Sequence, residues 1–152
     1  MSEVLAPVAG RVRPLSEAPD AVFAAEMVGS GVAIDPDGGP SEAVSPVAGT
    51  LVKLHPHAYV VVTDDGTGVL VHLGIDTVKL DGAGFELLVE EKSRVEAGQA
   101  VTRWDPTDVA GRELSPMVML CVLDTKPGTV SSDRLGDTVT AGDVLFRWPA
   151  EA

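Results

Sequence analysis

Short valine-rich runs, cut at close intervals by glycine and proline, constrain this chain more than any other feature. Sixteen glycines and eleven prolines fall among its 152 residues. Turn residues at that spacing mark an all-β sandwich or flattened antiparallel barrel. Strands are expected near 9–13, 32–35, 50–54, 58–63, 69–73, 85–89, 100–104, 117–122 and 144–148. Helical character is confined to EAPDAVFAAEMVG, 17–29, and DPTDVAGREL, 105–114. Each has room for single turns or one brief helix. PDGGPSE, 36–42, reads as a surface loop. No linker divides the chain, so residues 1–152 are expected to form one domain, long enough for a real core. With 45% apolar residues and only 4% aromatic ones, that core is filled by Val, Leu and Ala.

The runs also repeat. LAPVAGRVRPL at 5–15 echoes VSPVAGTLVKL at 44–54, and RVEAGQAVTRWD at 94–105 echoes TVTAGDVLFRWP at 138–149. Two matched pairs in matching order predict two related β motifs wrapped around one core. Glycine at each turn is expected to supply positive φ. Lipoyl- and biotinyl-type domains use similar turns, but they carry a modified lysine at a hairpin tip. The tip here is Asp64-Asp65-Gly66.

Charge and cysteine usage narrow the function. The formal net charge of −12 repels phosphate backbones, which argues against nucleic acid as a partner and suits a basic protein partner. The same acidity also serves solubility. Cys121 is the only cysteine, so no internal disulfide can form, and its place in MVMLCVL marks it as a core thiol. MSEVLAPVAG lacks the features of a secretory signal, and no apolar stretch approaches the roughly 18 residues that span a bilayer. Together these features favour the cytoplasm.

All three histidines, His55, His57 and His72, flank one expected hairpin in HPHAYVVVTDDGTGVLVHLGIDTV, 55–78. A two-residue loop at Asp64-Asp65 would set His57 directly opposite His72. One at Asp65-Gly66 would make them diagonal neighbours. Either register puts both rings on one face, and a slip of one residue would separate them. Neutral imidazoles near pH 7 suit a phosphoryl group, with one ring as nucleophile and the other as hydrogen-bond donor. They equally suit zinc with a further carboxylate or water. Spacing alone leaves these two roles open, along with two unconnected histidines.

The string HLGIDTV, 72–78, resembles the signature around the phosphorylated histidine of the glucose-type enzyme IIA of the bacterial phosphoenolpyruvate-dependent sugar phosphotransferase system. The likeness extends through APVAG, PDAVFAAEMVGSGVAI, SPVAGT and EEKSRVEAGQAV to TAGDVLFRW, nearly the whole chain. It implies that His72 accepts a phosphoryl group from the histidine-containing phosphocarrier protein. His72 would then pass the group to a cysteine on the IIB domain of a sugar permease, with His57 stabilising it. It implies that Asp20 and Asp76 lie near an arginine of the incoming phosphocarrier. Phe23, Met27, Val28 and Leu70 would form the apolar docking patch. It implies no required cofactor, with Zn2+ able to bind at His57 and His72 in some complexes. Regulated transporters or kinases would be further partners.

The chain departs from that pattern at three points. His55 stands where Thr is common, and its role is open. Leu73 stands where Phe is frequent. The chain starts almost directly at the first strand, so no membrane anchor is expected. A zinc peptidase on a similar barrel is the competing reading. HPH at 55–57 fits its H-x-H pair superficially, but no histidine precedes His55 or follows His72.

Overall fold

The computed structural model describes residues 2–149. In chain order its strands begin with β1 (Ser2–Leu5), β2 (Gly10–Pro14), β3 (Gly29–Pro36), β4 (Ser41–Val44), β5 (Gly49–His55), β6 (Ala58–Val62) and β7 (Gly68–Leu73). They continue with β8 (Glu86–Leu87), β9 (Arg94–Val95), β10 (Ala100–Trp104), β11 (Val118–Leu123), β12 (Thr138–Val139) and β13 (Val144–Trp148). The helices are brief, α1 (Ala21–Ala24) and α2 (Pro106–Gly111), with 3-10 turns at Leu15–Glu17 and Thr77–Leu80. Each expected strand is present, though the run at 85–89 pairs over only two residues. The strands not foreseen are β1, β4, β9 and β12. Of these, β4 begins inside the stretch expected to be loop.

Eight strands form one antiparallel sheet in the order β12-β2-β3-β11-β7-β6-β5-β9. Flanking it are a three-stranded sheet, β4-β10-β8, and the pair β1-β13. The sequence repeat is a repeat of structure, because the sheet reads alike from its two ends. Strand β2 pairs with the short β12, and β5 pairs with the short β9. Likewise β1 pairs with β13, and β4 with β10. The two copies clasp one another through matched bonds. Leu5 N–H donates to the Pro46 carbonyl at 2.9 Å, and Val44 N–H donates to the Pro7 carbonyl at 2.9 Å.

The glycines of the repeat have two different jobs. Gly98 and Gly142, in the AG turns, do hold positive φ, 87° and 94°. Gly49, in the second PVAG, does not. A Cβ there would fall 2.2 Å from the Val62 carbonyl oxygen, and one on Gly10 would fall 2.2 Å from the Asp35 carbonyl oxygen. Glycine opens these strands because the neighbouring backbone comes too close for any side chain.

Burial follows the pleat. One face of the sheet carries Val12, Ile34, Leu120, Val71, Tyr59 and Val61 into the main core. The Tyr59 hydroxyl, fully buried, donates to the Val44 carbonyl at 2.7 Å. On the opposite, outer face, Ala33, Met119 and Cys121 are covered by Leu15, Ala18, Phe23 and Ile75. Buried on both faces, β11 reads as the continuous apolar run VMLCVL. Strand β7 instead alternates half-buried and buried residues, GVLVHL, because its outer face is only partly covered. That partly covered face holds His72.

Candidate functional site

The hairpin register is the slipped one. Strands β6 and β7 are joined by a three-residue loop, and Ala58, not His57 or Tyr59, lies opposite His72. The loop is closed by Thr63 N–H donating to the Thr67 carbonyl at 2.9 Å. Gly66 at φ 90° and the Thr63 hydroxyl bonded to the Asp65 carboxylate shape its tip. A glycine in the left-handed region suits a three-residue hairpin loop, whereas a two-residue loop would need other geometry.

His57 is not on a strand. It occupies the turn between β5 and β6, beside Pro56, where side chains no longer alternate with the pleat. Its backbone carbonyl accepts from Leu73 N–H at 2.7 Å, which ties the turn to the end of β7. Its ring lies 5.2 Å from the His72 ring, centroid to centroid, at an interplanar angle of 71°. The two imidazoles therefore meet, by a route that strand geometry did not foresee.

His72 is held on two sides. The Phe23 ring, on α1, lies 5.2 Å from it. Its Nδ1 lies 2.6 Å from the Gly74 carbonyl oxygen. A carbonyl only accepts, so Nδ1 carries the proton and Nε2 keeps the free lone pair. Gly74 sits at φ 84°, and a Cβ on it would meet Thr77 Cγ2 at 2.6 Å and the Ser115 carbonyl oxygen at 2.9 Å. Only glycine fits, and the HLGIDTV string contains this orienting partner, which the sequence reading passed over. Burial lowers the His72 pKa below the ordinary imidazole value, opposed by the Gly74 bond and by the charges of Asp20 and Asp76. Burial, with the neighbouring His72 and His55 rings, lowers that of His57 too. Both rings are neutral at pH 7, which leaves Nε2 of His72 nucleophilic.

The acidic pair divides. Asp20 caps α1, its Oδ1 accepting from Val22 N–H at 2.9 Å and Phe23 N–H at 3.2 Å. Asp76 has φ 59°, makes no capping bond and lies 3.9 Å from Lys79 Nζ. Among the apolar residues expected at the docking patch, Met27 is 73% exposed. Phe23 is buried against the outer-face cluster, and Val28 and Leu70 pack on its edge. Val22 and Val78, 47% and 62% exposed on the elements either side of His72, were missed. The sequence signal for Val78 was its place at the end of HLGIDTV. His55, exposed at the end of β5, stacks on His57 with centroids 5.8 Å apart. Cys121 is buried beneath the site, and burial pushes its thiol up to about 12.

Among the described residues no group of three or more His, Cys, Asp or Glu side chains is arranged to hold a metal ion. A zinc ion at His57 and His72 would have to draw its remaining ligands from water or a partner. That donor set falls short of a metallopeptidase centre, which uses three protein ligands. Among the same residues no helix is long and apolar enough to cross a membrane.

Comparison with known proteins gives a consistent result. The family model for the phosphoenolpyruvate-dependent sugar phosphotransferase system, EIIA 1, matches residues 2–127. The chain is 37% identical over 141 residues to the glucose-specific EIIA component of Bacillus anthracis, covering 91% of this chain and 84% of that protein. It is 44% identical over 107 residues to the N-acetylglucosamine-specific EIICBA component of Escherichia coli (strain K12), covering 69% of this chain but 16% of that larger protein. The solved glucose permease IIA from Mycoplasma capricolum superposes with a TM-score of 0.80 at 35% identity, over 95% of this chain and 94% of that one.

Proposed function

Because the chain belongs to the glucose-type EIIA family of the phosphoenolpyruvate-dependent sugar phosphotransferase system, we propose that His72 carries its phosphoryl group and His57 steadies it. Membership makes the chain a phosphotransferase component with a phosphocarrier role in sugar uptake. The division of labour between the rings is carried by one observation, the 2.6 Å bond from His72 Nδ1–H to the Gly74 carbonyl. It leaves Nε2 as the attacking atom.

The donor is the phosphorylated histidine-containing phosphocarrier protein. The Nε2 lone pair forms a bond to phosphorus as the donor's N–P bond breaks, and that electron pair stays on the donor's imidazole. The Gly74 carbonyl accepts the Nδ1 proton's hydrogen bond throughout and stabilises the charge gained by the phosphorylated ring. The His57 N–H donates to a phosphoryl oxygen as charge spreads over it during transfer. A thiolate on the IIB domain of a sugar permease then attacks phosphorus, and the N–P electrons return to Nε2. The fused EIICBA architecture of the Escherichia coli relative supports a IIB acceptor. Asp20 and Asp76 give the docking rim its negative charge, and Met27, with Val22 and Val78, gives it apolar area. Transporters or kinases that read the phosphorylation state would use the same face. Transfer needs no metal, and the reading places the chain in the cytoplasm with its soluble donor.

The test is incubation with phosphoenolpyruvate and the two general phosphotransferase proteins, followed by intact mass measurement. One acid-labile phosphoryl group should appear, and it should be absent from His72→Gln. Uptake that persists in that variant would overturn the assignment. His57→Gln should still accept the group but deliver it to the IIB cysteine about a hundredfold more slowly.

A further inference from the structure

We propose that His55 is a positioning residue that holds the His57 ring in its working orientation by stacking against it. This rests on the reading of His57 as the group that steadies the phosphoryl group. His55, the last residue of β5, pairs with Ala58, and Ala58 pairs with His72. The three form one row across β5, β6 and β7 on the outer face. The middle position holds a small side chain, buried to 6% exposure. Adjacent strands lie about 4.8 Å apart, so the two outer members of such a row stand about 10 Å apart. That gap takes one aromatic ring with a partner on each side. The His57 ring lies within reach of both, 5.8 Å from His55 at 24° and 5.2 Å from His72 at 71°.

The clamp answers a mechanical need. The backbone of His57 is tied down by the bond from Leu73 N–H at 2.7 Å, but among the described residues its ring has no hydrogen-bond partner. A ring held only through its backbone can turn about both side-chain torsions. A near-parallel neighbour at 24° and a steeply inclined one at 71° restrict that rotation. Ordering the ring before the phosphoryl group arrives keeps its N–H aimed and avoids reorganisation during transfer. The effect comes from ring shape rather than charge, so an uncharged aromatic should replace His55.

Delivery from loaded protein to a IIB domain tests this in wild type, His55→Ala, His55→Phe, His57→Gln and the double variant His55→Ala/His57→Gln. Imidazole ring resonances of His57 are followed in the unphosphorylated protein alongside. His55→Ala should accept the phosphoryl group normally and deliver it about three- to tenfold more slowly, the scale of one lost aromatic pair. His55→Phe should deliver at the wild-type rate. The double variant should be no slower than His57→Gln alone, because His55 acts only through that ring. The His57 ring signals should broaden in His55→Ala and stay sharp in His55→Phe. Wild-type delivery by His55→Ala overturns the proposal, as does a Phe variant no better than Ala or a double variant slower than His57→Gln. If His72→Gln still accepts phosphate, the carrier reading fails instead, and the ring signals of the free protein decide the clamp on their own.

Discussion

The carbonyl of Gly74 does more for His72 than any charged neighbour, because it chooses the tautomer while Asp20 and Asp76 only adjust basicity. Burial works against all three and prevails, so the His72 pKa lies below 6.5, as does that of His57. Phosphoryl acceptance should therefore fall off at a lower pH than a free imidazole would dictate, as Nε2 protonates; initial uptake rates across a pH series check this. Stability has the same sign. Well above pH 6.5 folded and unfolded chains are both neutral at these rings, and nothing is lost. Below it the unfolded imidazoles bind protons first, so stability falls with pH until the folded values are passed. Nuclear magnetic resonance titration should place both rings below a free imidazole. His72→Gln should move His57 upward, because part of its depression comes from its neighbour.

Elements meet at the glycines of the PVAG repeat, where strand approaches strand with no space for a methyl group. Gly10→Ala and Gly49→Ala should each cost about 1–3 kcal/mol, the usual range for forced overpacking. Gly98→Ala should cost less, about 1 kcal/mol, because its φ of 87° is strained for alanine but open space surrounds it. Urea midpoints for the three variants test the ranking. The repeat was legible as sequence, and so were the strands built on valine-rich runs. Four strands were not. β9 and β12 pair over two residues each, and β1 and β4, reading SEVL and SEAV, offer too little alternation to mark a strand. They exist because β13, β10, β5 and β2 offer edges to β1, β4, β9 and β12 respectively, which is tertiary information. The site was legible in its chemistry and not in its geometry. The signature around His72 singled out the residue proposed to react, but the meeting of His57 with His72 depends on a turn and a three-residue loop. Counting residues along strands cannot describe either.

At the scale of the whole molecule the net charge of −12 and the two aspartates beside His72 act over different ranges. Six of the seven arginines are already engaged in ion pairs among the described residues, so they offer an approaching partner little free positive charge. A basic partner is drawn by the full charge only while the screening length is long, about 30 Å at 0.01 M salt. At physiological salt that length is about 8 Å, and only acids at the proposed docking rim would still count. Two classes of substitution separate the contributions. Asp20→Asn removes a rim charge yet keeps a side-chain oxygen to cap α1, and Asp76→Asn removes the other without touching a cap. Asp133→Asn and Glu90→Gln remove the same total charge near the outer strands of the sheet, β12 and β9. In low salt both pairs should slow phosphoryl uptake from the phosphocarrier protein, since steering by the whole field adds to encounter rates. At physiological salt the remote pair should return to the wild-type rate, while the rim pair should stay several-fold slow. Stopped-flow uptake across a salt series, with thermal melts to confirm equal folding, makes the comparison. Equal recovery of both pairs would mean that Asp20 and Asp76 contribute only as part of the bulk charge.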